Sequence, residues 1–195
     1  MPRIFFFFAV VLAIAIPAFA QSADTKAVAP KIDNDFIHKT FGAEFTLAPE
    51  IPPTVGDLNG DGIEDIVIAA KGKNPFVDQA DKNYTVLDPY HSFYGLGDPK
   101  ITTKFGENDD PKFWGLSLLI IHGDGAEAWR SDSPKSKFVL INVPFTKMAV
   151  KRIKLKKKVQ MALYAQESTN QGESGAVYFD GKKYRYEPMG TSMDN

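Results

Sequence analysis

The sequence predicts a mainly β protein, with antiparallel sheets in a sandwich-like or propeller-blade-like arrangement and one short N-terminal helix. Three observations predict it. Short apolar runs rich in Val, Ile, Leu and Phe recur from Ile66 to Tyr186, bounded by Gly, Pro, Asp or Lys. Helical spacing of apolar residues is confined to the stretch around Ile37. The chain has no cysteine, so no disulfide framework replaces a packed core.

Residues 1–20 read as a signal peptide outside the fold: Arg3 is a positive start, Ile4 to Ile16 is apolar, and Ala18-Phe19-Ala20 is a small-x-small cleavage pattern. A membrane span needs about 20 apolar residues, and this run holds 13 before Pro17, so no stable span is expected. No Cys follows Ala20, which excludes a lipoprotein anchor. The expected location is secreted or periplasmic. Loss of Arg3 takes the formal charge from −1 to −2, which provides no global field for nucleic acid or a membrane surface.

Residues 21–32 read as a polar, flexible tail, 33–190 as one β-rich domain and 191–195 as a frayed end. Asp33 or Asn34 caps a helix through Thr40, with Ile37, His38 and Phe41 at helical spacing and Gly42 as its stop. Glu44 to Leu47 reads as a short strand, and the prolines at 52 and 53 lead into an acidic loop. Ile66 to Ala70 follows as a β-branched strand. The segment from Gly72 to Gly115 reads as irregular and rich in aromatics, which anchor it to the core or line a binding surface. Thr85–Leu87 and Ile101–Phe105 are its candidate strands.

The second half reads as antiparallel hairpins. Leu116–His122 turns at Gly123-Asp124-Gly125 into Ala126–Arg130. Phe138–Val143 is a strand stopped by Pro144, Met148–Leu155 pairs with Val159–Ala165, and Ala176–Phe179 pairs with Lys182–Tyr186. In Tyr184-Arg185-Tyr186 the rings share one face and the Arg takes the other. Along the basic run Lys151 to Lys158, Ile153 and Leu155 face the core, and outward lysines discourage edge pairing.

One stretch specifies chemistry. Asp57-Leu58-Asn59-Gly60-Asp61-Gly62-Ile63-Glu64-Asp65 places Asp, Asn, Asp and Asp at loop positions 1, 3, 5 and 9, with Gly at position 6. Ca²⁺ takes six to eight oxygen ligands in a loose cage, and alternate residues of a tight loop supply several. Asp57, Asn59, Asp61 and Asp65 offer side-chain oxygens and Ile63 its carbonyl. The same residues also favour ordinary turns. An EF-hand would need Glu at position 12; that position is Ile68, and a strand follows instead of a helix.

Gly56 to Gly62 followed by Asp65-Ile66-Val67-Ile68-Ala69-Ala70 resembles the calcium loop of the FG-GAP or VCBS-type repeat, known from integrin-like β-propellers and many secreted bacterial proteins. The resemblance implies a structural or interaction role, with another protein or a cell-envelope polysaccharide as partner. No second copy of the Asp57 pattern occurs, and a propeller needs at least four repeated blades, so a closed propeller is not expected.

Nothing else in the chain marks a catalytic site. His38, His91 and His122 lack ligand spacing, no Gly-x-Ser-x-Gly occurs, and thiol chemistry is absent. His122 reads as a hydrogen-bonded histidine at a strand rim. Glu107, Asp109 and Asp110 read as a turn before Pro111, and Asn83-Tyr84-Thr85 is a glycosylation acceptor only in a host that glycosylates. The leading expectation is a secreted, calcium-binding, non-catalytic interaction domain. The alternative is a secreted hydrolase using Asp and Glu side chains beside a structural calcium, which would show two carboxylates converging in a deep cleft.

Overall fold

The structure is a computed structural model and describes residues 30–95, 111, 114–156, 158–167 and 172–189. The predicted signal segment, most of the tail after it, the Ile101–Phe105 strand, the Glu107–Asp110 cluster and the frayed end lie outside the described residues. Ile32, at the end of the predicted tail, is partly buried on the core.

The predicted helix forms as α1 (Asn34–Phe41), with Asp33 accepting the Phe36 N–H at 3.0 Å and Gly42 donating back to the His38 carbonyl. Ile37 and Phe41 are buried, whereas His38, also expected on the apolar side, is exposed. β1 (Phe45–Leu47) follows. β2 (Thr54–Gly56), which the two prolines before it concealed, leads to β3 (Asp65–Gly72).

The next segment is less irregular than its composition suggests. It holds the one-turn helices α2 (Gln79–Lys82) and α3 (Pro89–Phe93) on either side of β4 (Thr85–Leu87), so α1 is not the sole helix. Asp88 caps α3 by accepting the His91 N–H, with Pro89 at the first position, where its missing donor costs nothing. The aromatics divide: Tyr84 is buried and Phe76 and Tyr90 partly so, while Phe93, Tyr94 and Trp114 are exposed.

β5 (Leu116–His122) does not turn back at Asp124-Gly125 into a strand over Ala126–Arg130. Gly125–Glu127 forms a 3₁₀ turn, and β5 pairs instead with β6 (Ser136–Ile141). The Asp-Gly pair does reverse the chain. The residues after it lack a period-2 pattern, and Trp129 is drawn into the core beside Phe36. β7 (Lys147–Lys154) with β8 (Val159–Gln166), and β9 (Gly175–Phe179) with β10 (Tyr184–Pro188), form the other two predicted hairpins.

The strands make two sheets. The first runs β1-β3-β5-β6-β4, with β2 also pairing β3, and is antiparallel except for parallel β4–β6. The second runs β10-β9-β8-β7. β3 and β5 are buried on both faces, which explains their continuous apolar sequences. Val67, Ala69, Leu118 and Ile120 face Leu163, Val177 and Tyr184 of the second sheet. Ile66, Ile68, Leu119 and Ile121 face α1, Phe45, Tyr84 and Trp129. The architecture is therefore a two-sheet sandwich with a helix and loops over one outer face. Each fully buried Ile or Leu contributes about 1.5–3 kcal/mol relative to exposure.

His122 lies deeper than a rim position. It is buried between the sheets, its Nε2 2.7 Å from the Tyr184 hydroxyl and its Nδ1 3.0 Å from Ser136 Oγ. Burial depresses its pKa to about 4, so the imidazole is neutral and one ring nitrogen donates while the other accepts.

Candidate metal centre

The acidic loop is the connection of a hairpin. β2 delivers the chain to Asp57 and β3 takes it from Asp65, with Gly56 opposite Asp65 in the ladder. Both ends are thus pinned on one rigid element.

Inside the loop the side chains fold over their own backbone. Asp57 Oδ1 accepts the N–H groups of Gly60 at 2.7 Å and Asp61 at 3.1 Å, and its Oδ2 accepts that of Gly62 at 2.9 Å. Asn59 Oδ1 accepts the Asp61 N–H, and Asp61 Oδ1 accepts that of Ile63, both at 2.9 Å. These nested Asx turns need Gly62 at φ 84°, a conformation in which a Cβ clashes.

Asp61 Oδ2 meets the Lys135 ammonium at 2.7 Å. Burial alone would raise the Asp61 pKa, but the Lys135 contact and the Ile63 N–H outweigh it and hold the carboxyl below its usual range. Asp65 points inward and is fully buried, its Oδ2 accepting the Leu58 N–H at 2.8 Å and its Oδ1 that of Gly123 at 2.9 Å. Burial pushes its pKa up to about 6, against the opposing pull of those two donors.

Asp57, Asn59 and Asp61 are thus gathered over one short backbone arc, and Asp65 closes it from beneath. Among the described residues, no three acidic or histidine side chains already stand at metal-holding distances around a common point. The donor chemistry nevertheless fits a hard cation. A carboxylate has about four lone-pair sites and an amide oxygen two. Asp57 uses three, Asp61 and Asp65 two each and Asn59 one, so every predicted side chain keeps a free lone pair. The Ile63 carbonyl accepts no hydrogen bond among the described residues. Asn59 Nδ2 is buried without a protein partner there, but as a donor it says nothing about a cation.

Sequence reasoning passed over three supporting residues. Lys135 arrives from the connection before β6 and is the cation seated on the loop. Glu64, outside the predicted ligand set, has its Oε1 accepting from Trp129 Nε1 at 2.9 Å and Arg130 Nη1 at 3.0 Å. Gly123 allows a close approach, since a Cβ there would lie 2.4 Å from the Glu64 carbonyl oxygen and 2.8 Å from the Trp129 nitrogen. None of these has a local sequence signature, because each acts across more than 50 residues of chain separation.

A separate cleft of about 480 Å³ lies between α3 and β10 and is lined by Asp88, Asp180 and Glu187, among others. Asp88 is nearly fully buried and bonded by the Asn142 amide at 2.5 Å and by the His91 N–H, and Asp180 is paired with Arg185 at 2.6 Å. Both carboxylates therefore serve local structure.

The FG-GAP repeat family matches residues 53–86. The match spans β2, the acidic loop, β3, α2 and the start of β4, well beyond the loop itself, and leaves Phe41-Gly42 outside. A β-rich domain carrying an FG-GAP repeat suggests an interaction module. No curated protein and no solved structure matches the chain. No described helix is long and apolar enough to cross a membrane.

Proposed function

We propose that this chain is an exported, calcium-binding β domain with a non-catalytic interaction role, whose partner is another protein or a cell-envelope polysaccharide. One observation carries the reading: the FG-GAP match coincides with a hairpin loop whose Asp and Asn side chains each keep at least one lone pair after the loop's own hydrogen bonds are made. Asp57, Asn59, Asp61, Asp65 and the Ile63 carbonyl are the protein ligands, with water completing the shell. Lacking a bidentate Glu, the site binds at about 10⁻⁴–10⁻³ M, as extracellular modules do. FG-GAP repeats often mediate protein interactions, which supports the binding role. Export rests on the pattern of residues 1–20. The hydrolase alternative has no observation of its own, since Asp88 and Asp180 of the α3–β10 cleft are engaged in structural pairs and leave Glu187 without a second free carboxylate beside it there. Isothermal titration with Ca²⁺ and with Mg²⁺ tests the reading. Heat from Ca²⁺ alone that is lost in Asp57→Ala is expected, and absence of heat at millimolar Ca²⁺ sinks it.

A further inference from the structure

The basic run of the β7–β8 hairpin remains unexplained by the calcium loop. It borders a second, larger concavity. The outward face of the second sheet carries its own apolar cluster of Ile153, Ala162, Tyr164 and Ala176, with Leu155, Tyr178 and Met189 packed against it. Over this face opens a groove of about 1020 Å³, at the upper end of the volumes that bind small molecules and wide enough for a chain. Its rim is formed by Lys154, Lys156 and Lys158, all exposed, with Glu187 as the acidic residue among its described lining. None of the three lysines makes an ion pair among the described residues, whereas Lys151 is taken up by Glu173.

Three properties narrow the occupant. The rim charge calls for an anion. The floor is the face of the second sheet, formed by side chains above the β7–β8, β8–β9 and β9–β10 ladders, and the unpaired amides lie along the β7 and β10 edges instead of on this face. Recognition must come from side chains: ammonium donors at the rim and tyrosine rings on the floor. The Tyr164 hydroxyl is committed to the Arg152 carbonyl, while that of Tyr178 bonds nothing among the described residues. A half-exposed ring with an available hydroxyl beside lysines suits a sugar, whose C–H face packs on the ring and whose acidic groups meet the ammoniums. The surface is concave, so it does not fit the flat plane of a bilayer.

We infer that this groove binds an acidic polysaccharide, with its carboxylates on Lys154, Lys156 and Lys158 and a sugar ring stacked on Tyr178. The inference deepens the interaction role proposed above and is independent of the metal.

The test is binding of the full chain to polygalacturonate by affinity electrophoresis and calorimetry, with neutral dextran, polyglutamate and anionic phospholipid vesicles as comparisons. Polygalacturonate should bind and dextran should not. Lys154→Gln, Lys156→Gln and Lys158→Gln combined should weaken binding at least tenfold, at exposed positions that leave the melting temperature unchanged. Tyr178→Ala should weaken it several-fold with the salt dependence retained, and Tyr178→Phe should keep most of it. Absence of polygalacturonate binding overturns the inference. So does equal binding of polyglutamate or vesicles with Tyr178→Ala neutral, which would mark simple charge attraction or a different partner. Calcium-dependent melting measured on the same samples separates this failure from failure of the metal reading.

Discussion

Replacing Asp57 with alanine gives the sharpest test of the loop, because its effects with and without metal differ in size and cause. Without calcium, Asp57→Ala removes three hydrogen bonds, to the N–H groups of Gly60, Asp61 and Gly62. The loop is exposed and water can replace the carboxylate, so the loss is about 1–2 kcal/mol in total. With calcium at 100 times its dissociation constant, the wild-type chain gains about 2.7 kcal/mol. For a chain of this size that equals a rise in Tm of about 5–10 °C. Asp57→Ala should show the smaller loss in chelator and no rise with calcium. Glu64→Ala should behave oppositely: it keeps the calcium-induced rise but starts lower, because Trp129 Nε1 and Arg130 lose their shared acceptor. Thermal melts of the three proteins in calcium and in chelator provide the comparison. A wild-type Tm identical in both conditions would refute the reasoning and leave the loop an ordinary turn.

Three further outcomes are expected. Lys135→Met should lower the Tm only slightly in chelator, because a solvent-exposed ion pair is worth little, and should strengthen calcium binding several-fold in calorimetry by removing the cation that competes at Asp61. Gly123→Ala forces a Cβ against three backbone atoms, and urea melts should show a loss of at least about 2 kcal/mol. The third concerns pH. His122, depressed to about 4, contributes stability that is present above pH 6.5 and lost as pH falls toward 4. Asp65, raised to about 6, has the opposite sign, so stability falls as pH rises from about 4 to 6. In chelator the two slopes should nearly cancel. His122→Gln should uncover a decline of up to about 1.4 kcal/mol per pH unit in that window, visible in urea melts at stepped pH; a flat profile would contradict it.

The second half of the fold was largely legible because its strands obey simple periodicities. Tyr184, Arg185 and Tyr186 alternate inside and outside as their order implies, and Ile153 is buried between exposed neighbours. β3 and β5 were legible for a different reason, being apolar throughout and covered on both faces. The failures lie where tertiary contacts decide. Ala126–Arg130 follows a good turn signal, yet Glu64, more than 60 residues away, captures both Trp129 and Arg130. β2 was hidden because the prolines before it suggested a loop, although an edge strand tolerates such neighbours. α3 could have been found from Asp88-Pro89, a cap followed by the residue best suited to a first helical turn. At the candidate centre, the position of the loop and the strand that follows it were readable from the spacing of Asp, Asn and Gly before a β-branched run. Lys135 and Gly123 were not, since their roles exist only once β5 and β6 stand beside β3.

The position of Asp65 has a consequence for portability. One of its oxygens holds the loop through Leu58 and the other holds Gly123 at the end of β5. The two amides should therefore exchange with solvent in a single opening event, whose rate reports on both segments at once. It also means that residues 57–65 are not a self-contained cassette. Transplanted alone onto another hairpin, they would carry a carboxylate shaped for a donor left behind in the parent protein. A working graft would have to bring the Gly123 turn with it.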